Sequence, residues 1–81
     1  MLNMECQTKM SEEKAIETIK KFFGQGGLGL NLVDESGPCL TFEGGGGYVN
    51  ATLCSEKGGT RIEMVTQEWE HQVKDFAAKL D

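Results

Sequence analysis

The chain has 81 residues, 38% of them hydrophobic, and a formal net charge of −5 at pH 7. This length allows one domain with a small core. The eight Lys and Arg residues form no cluster, so we expect neither nucleic acid nor an anionic membrane as a partner. No segment has the apolar pattern of a signal peptide or the length of a membrane span, which predicts a cytoplasmic protein.

Residues 1–10 allow two interpretations. Leu2, Met4 and Cys6 alternate with polar residues, as in a short edge strand. A flexible tail is the alternative, because chain termini are often poorly ordered. Residues 11–81 are predicted to form a single α+β domain.

Residues 11–23 are predicted to form a helix. Ser11 is a favourable N-cap, and the two glutamates that follow it suit the positive end of the helix dipole. Gly24 is a natural end for the helix. The apolar side of this helix comprises Ala15, Ile16, Ile19, Phe22 and Phe23.

Four strands are predicted to follow, at residues 28–33, 39–43, 48–54 and 60–65, because each segment alternates apolar and polar residues. Four-residue loops at 44–47 and 56–59 place Glu43 opposite Tyr48 and Leu53 opposite Ile62. This register brings the apolar residues to one face of the sheet, and a slip of one residue would move a strand's apolar set to the other face. The predicted core face comprises Leu30, Leu32, Leu40, Phe42, Val49, Leu53, Ile62 and Met64.

A second helix is predicted at the end of the chain, with Thr66 as its N-cap. Its apolar stripe comprises Trp69, Val73, Phe76, Ala77 and Leu80. The predicted fold is therefore α+β: a two-layer sandwich in which a four-stranded antiparallel meander carries N- and C-terminal helices on one face, in the order α-β-β-β-β-α.

The run Gly44–Gly47 is the most unusual feature of the sequence. Glycines that bind phosphate precede a helix N-terminus, whereas these precede a β-branched and aromatic segment, which indicates a hairpin loop. Four glycines exceed what most tight turns need, so the bare backbone also suggests a place where a ligand approaches. The resulting alternative function is a small-molecule-binding protein or enzyme with its site at this loop, Glu43 and Tyr48.

The sheet face away from the helices is predicted to comprise Asn31, Val33, Cys39, Thr41, Glu43, Tyr48, Asn50, Thr52, Cys54, Arg61, Glu63 and Val65. A face with few long charged side chains suits a surface that another protein covers. The sequence thus favours a small non-enzymatic interaction module, with a protein partner or a homodimer, and without a cofactor or metal. The predicted binding residues are Glu43, Gly44, Gly45, Gly46, Gly47, Tyr48, Asn50 and Arg61.

Cys39 and Cys54 lie on this same predicted face and support a third hypothesis, thiol redox chemistry or metal binding. In the predicted register Cys39 faces Thr52, so the two cysteines are diagonal neighbours about 7–8 Å apart. That spacing is too long for a disulfide, and we expect free thiols. Arg61 is predicted to lie opposite Cys54.

Overall fold

The computed structural model describes residues 1–80, and Asp81 of the predicted domain lies outside the described residues. The elements are β1 (Leu2–Thr8), α1 (Glu12–Phe23), β2 (Asn31–Ser36), β3 (Cys39–Gly44), β4 (Gly47–Glu56), β5 (Gly59–Gln67) and α2 (Glu70–Lys79). The strands form one antiparallel sheet in the order β1-β5-β4-β3-β2. The α+β class is confirmed, but the predicted strand count is wrong, because this part of the chain contains five strands rather than four.

The additional strand is β1, one of the two interpretations of residues 1–10. It pairs with β5 along its whole length, from Leu2 opposite Thr66 to Thr8 opposite Thr60. Its alternating apolar residues are half-buried and point to the helix side of the sheet, while the polar residues between them are exposed. The first strand thus joins the last strand, and the order becomes β-α-β-β-β-β-α.

The core lies between the helices and one face of the sheet. The predicted pairing of the last three strands is confirmed, with Glu43 opposite Tyr48 and Leu53 opposite Ile62. Phe23 of α1 contacts Phe42 of the sheet and Phe76 of α2, with ring centroids 5.9 and 5.3 Å apart. The buried apolar residues are Ala15, Ile19, Phe23, Leu30, Leu40, Phe42, Val49, Ala51, Leu53, Ile62, Met64, Val73 and Phe76.

The start of α1 agrees with the prediction. Ser11 is the N-cap, and its hydroxyl accepts a hydrogen bond of 3.2 Å from the backbone N–H of Lys14. This bond satisfies one of the N–H groups that the first helical turn leaves without a partner.

Strand β2 differs from the prediction. It begins three residues later than predicted, and Asp34, Glu35 and Ser36 belong to the strand instead of to a turn. Leu32 was predicted in the core but is 39% exposed, because β2 is an edge strand that the helices do not cover. A register shift at Val33 places Asp34, rather than Val33, opposite Thr41.

The junction between β5 and α2 also differs. Thr66 was predicted to cap the second helix, but it lies within β5, where its buried hydroxyl donates a 2.6 Å hydrogen bond to the carbonyl oxygen of Tyr48. The helix begins at Glu70, after a turn in which Glu68 has a φ of 78°. A left-handed conformation at a non-glycine residue turns the chain sharply from sheet to helix.

The glycine loop is shorter than predicted. Gly44 and Gly47 pair with each other as the last residues of β3 and β4, so the turn consists of Gly45 and Gly46 alone. Their φ angles of 60° and 83° are those of a two-residue type I′ hairpin turn. The shorter loop leaves the predicted strand register unchanged.

Candidate functional site

The sheet face opposite the helices is the open face, and its side chains form rows that cross the strands. One row near the glycine turn crosses β2, β3, β4 and β5 through successive cross-strand partners. Its members are Asn31, Glu43, Tyr48 and Gln67. A middle row contains Asp34, Thr41, Asn50, Val65 and Asn3. A row at the far end contains Cys54, Arg61 and Gln7.

The row beside the glycine turn lines a shallow groove of about 510 Å³. Three glycines, Gly44, Gly46 and Gly47, form the rest of its lining. The predicted residues Glu43 and Tyr48 therefore do meet the glycines. Gln67 was missed because the sequence pattern assigned it to the start of a helix. Extending the predicted pairing of the last two strands by two residue pairs beyond Val65 would have placed Gln67 opposite Tyr48.

Three of the four glycines, those at positions 45, 46 and 47, have structural reasons to be there. Trp69 packs against the turn: a Cβ on Gly45 would lie 2.9 Å from its Cζ2 atom, and its indole N–H donates a 2.9 Å hydrogen bond to the carbonyl oxygen of Gly44. A Cβ on Gly47 would lie 2.1 Å from the carbonyl oxygen of Gln67. The turn requires a positive φ at Gly46, which favours glycine, although a Cβ there would face open space. The bare turn thus permits close packing on one side and leaves the groove uncovered on the other.

Asn50 lies in the middle row and holds two strands together. Its Nδ2 donates to the hydroxyl of Thr41 at 2.8 Å and lies 3.4 Å from the carbonyl oxygen of Leu40. The same amide nitrogen lies 3.7 Å from the sulfur of Cys39. These contacts give this predicted binding residue a role in tying β4 to β3.

Arg61 lies far from the groove. The separation along β4 between Tyr48 and Cys54, which is opposite Arg61, is roughly 20 Å at 3.3 Å per residue. The guanidinium is held by carboxylates of its own chain: its Nε is 3.0 Å from Glu5 and 3.3 Å from Glu63, and its Nη1 pairs with Glu56. The carboxylate of Glu56 raises the pKa of Arg61 most strongly.

The three cysteines are free thiols. Cys39 lies 3.6 Å from the hydroxyl of Thr52, and Cys54 lies opposite Arg61. Within residues 1–80, no group of three or more His, Cys, Asp or Glu side chains is close enough together to hold a metal ion. Cys39 and Cys54 therefore belong to two separate polar clusters, whereas Cys6 packs against the apolar core on the helix side of the sheet.

Charge is divided unevenly between the two faces. Helices α1 and α2 together carry five lysines and five carboxylates, so the two helices are together neutral. The helix side of the sheet adds one carboxylate, Glu35, which pairs with Lys20. Arg61 is the single cationic side chain at a strand position of the open face in residues 1–80. The carboxylates of the open face are Glu5, Asp34, Glu43, Glu56 and Glu63. The negative charge of the protein is thus concentrated on the uncovered side of the sheet.

Neither helix is long and apolar enough to cross a membrane, within the part of the chain that the structure describes. No protein-family model matches the chain, and neither a curated protein nor a solved structure matches it.

Proposed function

We propose that this protein is a small non-enzymatic interaction module whose open face binds a positively charged surface of another protein. The concentration of carboxylates on that face is the observation that carries the proposal, because complementary charge speeds association and selects the partner.

The shape of the open face agrees with this function. Its central side chains are short and half-buried by their neighbours, so a partner can approach the sheet closely. The central residues are Cys39, Thr41, Asn50, Thr52, Cys54 and Val65. The longer charged side chains surround this centre, as in the polar rim of protein interfaces.

The same charge pattern argues against a homodimer through this face. Two copies placed face to face would bring five carboxylates and one guanidinium against the same set. Like charges opposed across an interface cost several kcal/mol. A partner surface with Lys or Arg residues is instead attracted by the carboxylates of the open face.

The test compares three baits for affinity capture from a cell lysate: the wild type, Glu63→Lys on the open face, and Glu17→Lys on α1. Both substitutions reverse the charge of an exposed glutamate, so they change the net charge of the protein by the same amount. We expect a partner that the wild type and Glu17→Lys retain and Glu63→Lys loses. With that partner purified, Glu63→Lys should weaken binding at least about tenfold, or 1.4 kcal/mol. Equal binding by both variants would show that the open face is not the interface.

A further inference from the structure

We propose that the groove beside the glycine turn holds an arginine side chain of the partner protein. This inference rests on the proposed function and assigns a specific role to one end of the open face. The groove is the place where a carboxylate, an aromatic ring and two side-chain amides lie next to one another.

Glu43 supplies the charge. None of the ion pairs formed within residues 1–80 involves its carboxylate, and its side chain is exposed. The carboxylates at the far end of the open face differ, because Arg61 already occupies the space between them. Glu43 and Asp34 are the open-face carboxylates that take part in no ion pair within residues 1–80, and of these two only Glu43 lines the groove.

Tyr48 supplies an aromatic surface next to that carboxylate. The two residues are direct cross-strand partners, which places their Cβ atoms about 4.5–5.5 Å apart. A guanidinium group stacks on an aromatic ring and pairs with a carboxylate through its planar set of donors. Both contacts are within reach of one arginine at this site.

The flanking residues favour arginine over lysine. Asn31 lies beyond Glu43 and Gln67 lies beyond Tyr48 in the same row, and each carries an amide oxygen that can accept two hydrogen bonds. The oxygen of Asn31 already accepts one, at 3.5 Å from Nε2 of Gln25. Arginine has five N–H donors in a fixed plane, so it can reach the carboxylate and an amide oxygen together. The glycines at the end of the row place no side chain over this site.

The experiment is an NMR titration of the ¹⁵N-labelled protein with N-acetyl-arginine amide. N-acetyl-citrulline amide is the matched control, since citrulline has a similar shape without the charge, and N-acetyl-lysine amide tests the choice between cations. We expect saturable shifts of the backbone N–H signals of residues 44–48 with the arginine probe, at roughly millimolar affinity. The lysine probe should bind several-fold more weakly, and citrulline should leave these signals unmoved.

Two variants test whether the carboxylate of the groove is responsible. Glu43→Gln should weaken arginine binding at least about tenfold, because it removes the charge and keeps the shape. Glu63→Gln removes the same charge from the same face two rows away and should change the affinity less than about twofold. Equal weakening by both variants, equal shifts with citrulline, or equal affinity for lysine would overturn the proposed arginine site.

The outcome also separates this inference from the proposed function. If the arginine probe does not bind the groove but the bait comparison still separates Glu63→Lys from Glu17→Lys, the open face is an interface and the arginine site is wrong. If the bait comparison also shows no difference, the proposed function itself is wrong.

Discussion

Trp69 and the glycine turn depend on each other. The indole lies against Gly45 and donates its N–H to the carbonyl oxygen of Gly44, so the tryptophan links the start of α2 to the β3–β4 hairpin. In the amphipathic pattern of the sequence, Trp69 is the first residue of the apolar stripe of a helix. In the structure it is the N-cap residue, and its ring contacts the hairpin.

We predict that Gly45→Ala destabilises the protein more than Gly46→Ala. Both positions have positive φ, which costs an alanine about 1–2 kcal/mol. At Gly45 the new methyl group would also meet the Trp69 ring, adding about 1–3 kcal/mol, whereas at Gly46 it meets nothing within 4 Å. Urea unfolding followed by circular dichroism measures both variants. Equal destabilisation would contradict the packing of Trp69 on the turn.

Cys6 is expected to ionise at higher pH than an ordinary cysteine. Burial on the helix side of the sheet raises its pKa above the usual 9.0, and the neighbouring carboxylate of Glu5 adds to the effect. The folded state therefore favours the neutral thiol. This contribution to stability is present below pH 9.0 and is lost as pH rises through the folded-state pKa.

The measurement uses a variant with Cys39→Ser and Cys54→Ser, in which Cys6 is the remaining thiol. The rate of iodoacetamide alkylation should rise with pH around a midpoint above that of the same variant unfolded in urea. The partial burial of Cys6 in the folded protein slows alkylation at every pH. The prediction therefore concerns the pH midpoint of the rate and not the rate itself. Coincident midpoints would exclude the raised pKa.

At the scale of elements, β1 is predicted to be essential to the fold. Deleting residues 1–8 removes the strand that pairs with all of β5 from Thr60 to Thr66. The variant should lose the cooperative unfolding transition, because β5 would pair with β4 alone, and its other edge and part of the core would be uncovered. A thermal melt followed by circular dichroism tests this. Removing a flexible tail would not change the stability of the fold. An unchanged melting curve would therefore contradict the assignment of residues 2–8 to a strand.

The two faces of β1 provide a matched control for that deletion. Met4 points to the helix side and is half-buried, whereas Asn3 is exposed on the other side. Met4→Ser should cost about 1–3 kcal/mol of unfolding free energy and Asn3→Ser less than about 0.5 kcal/mol. The reverse order would indicate that the strand is flipped.

The start of α2 should respond to acid. The pKa of Glu70 lies below the usual 4.5, mainly because its own backbone N–H stabilises the carboxylate, with the backbone N–H of Glu68 and the N-terminal ammonium of Met1 also contributing. A lowered folded-state pKa means that the contribution to stability is present above pH 4.5 and is lost as pH falls through the folded-state value.

Glu70→Gln isolates this contribution. The difference in unfolding free energy between the wild type and this variant should be constant above about pH 5 and should shrink below pH 4.5. Glu17→Gln, in the middle of α1, controls for removing a carboxylate from the helix layer. A difference that does not vary with pH would contradict the assigned cause.

The elements that the sequence predicts correctly are those defined by residues close together in the chain. The hairpins from β3 to β5 were predicted in the correct register, because alternation and turn residues act over a few positions. The pairing of Leu2 with Thr66 could not be predicted in that way, since it joins distant parts of the chain. Leu32 and Thr66 were misassigned for a related reason: the edge position of β2 and the length of β5 are set by tertiary contacts.

The candidate site was predicted only in part. Glu43, Tyr48 and the glycines were brought together correctly, because the hairpin register alone decides their positions. Arg61 was predicted as a binding residue of the open face, opposite Cys54. The structure confirms that pairing and holds the guanidinium in a carboxylate cluster at the far end of the sheet. Glu63 was predicted on the same face as Arg61, so the sequence pattern indicated part of the cluster. Glu5 lies in residues 1–10, where a flexible tail was the alternative to a strand, and Glu56 was assigned to a loop.

The uneven division of charge between the two faces predicts how the protein associates with itself. Repulsion between two open faces should keep it monomeric in dilute buffer at about 10 mM salt, where charges act over roughly 30 Å. Light scattering from 10 mM to 1 M salt tests this: added salt should increase self-association or leave it unchanged. A dimer that dissociates as salt is added would contradict the prediction, because it would need attraction between opposite charges.

The position of β1 beside β5 also has a consequence for synthesis on the ribosome. Leu2 is translated 64 residues before its partner Thr66. At a translation rate of about 5–20 residues per second, roughly 3–13 s pass between the synthesis of Leu2 and that of Thr66. During that time Leu2, Met4 and Cys6 remain without the neighbours that bury them in the native state. Strand β1 can pair along its whole length only after translation has passed Thr66, so the sheet joins its oldest strand to its youngest.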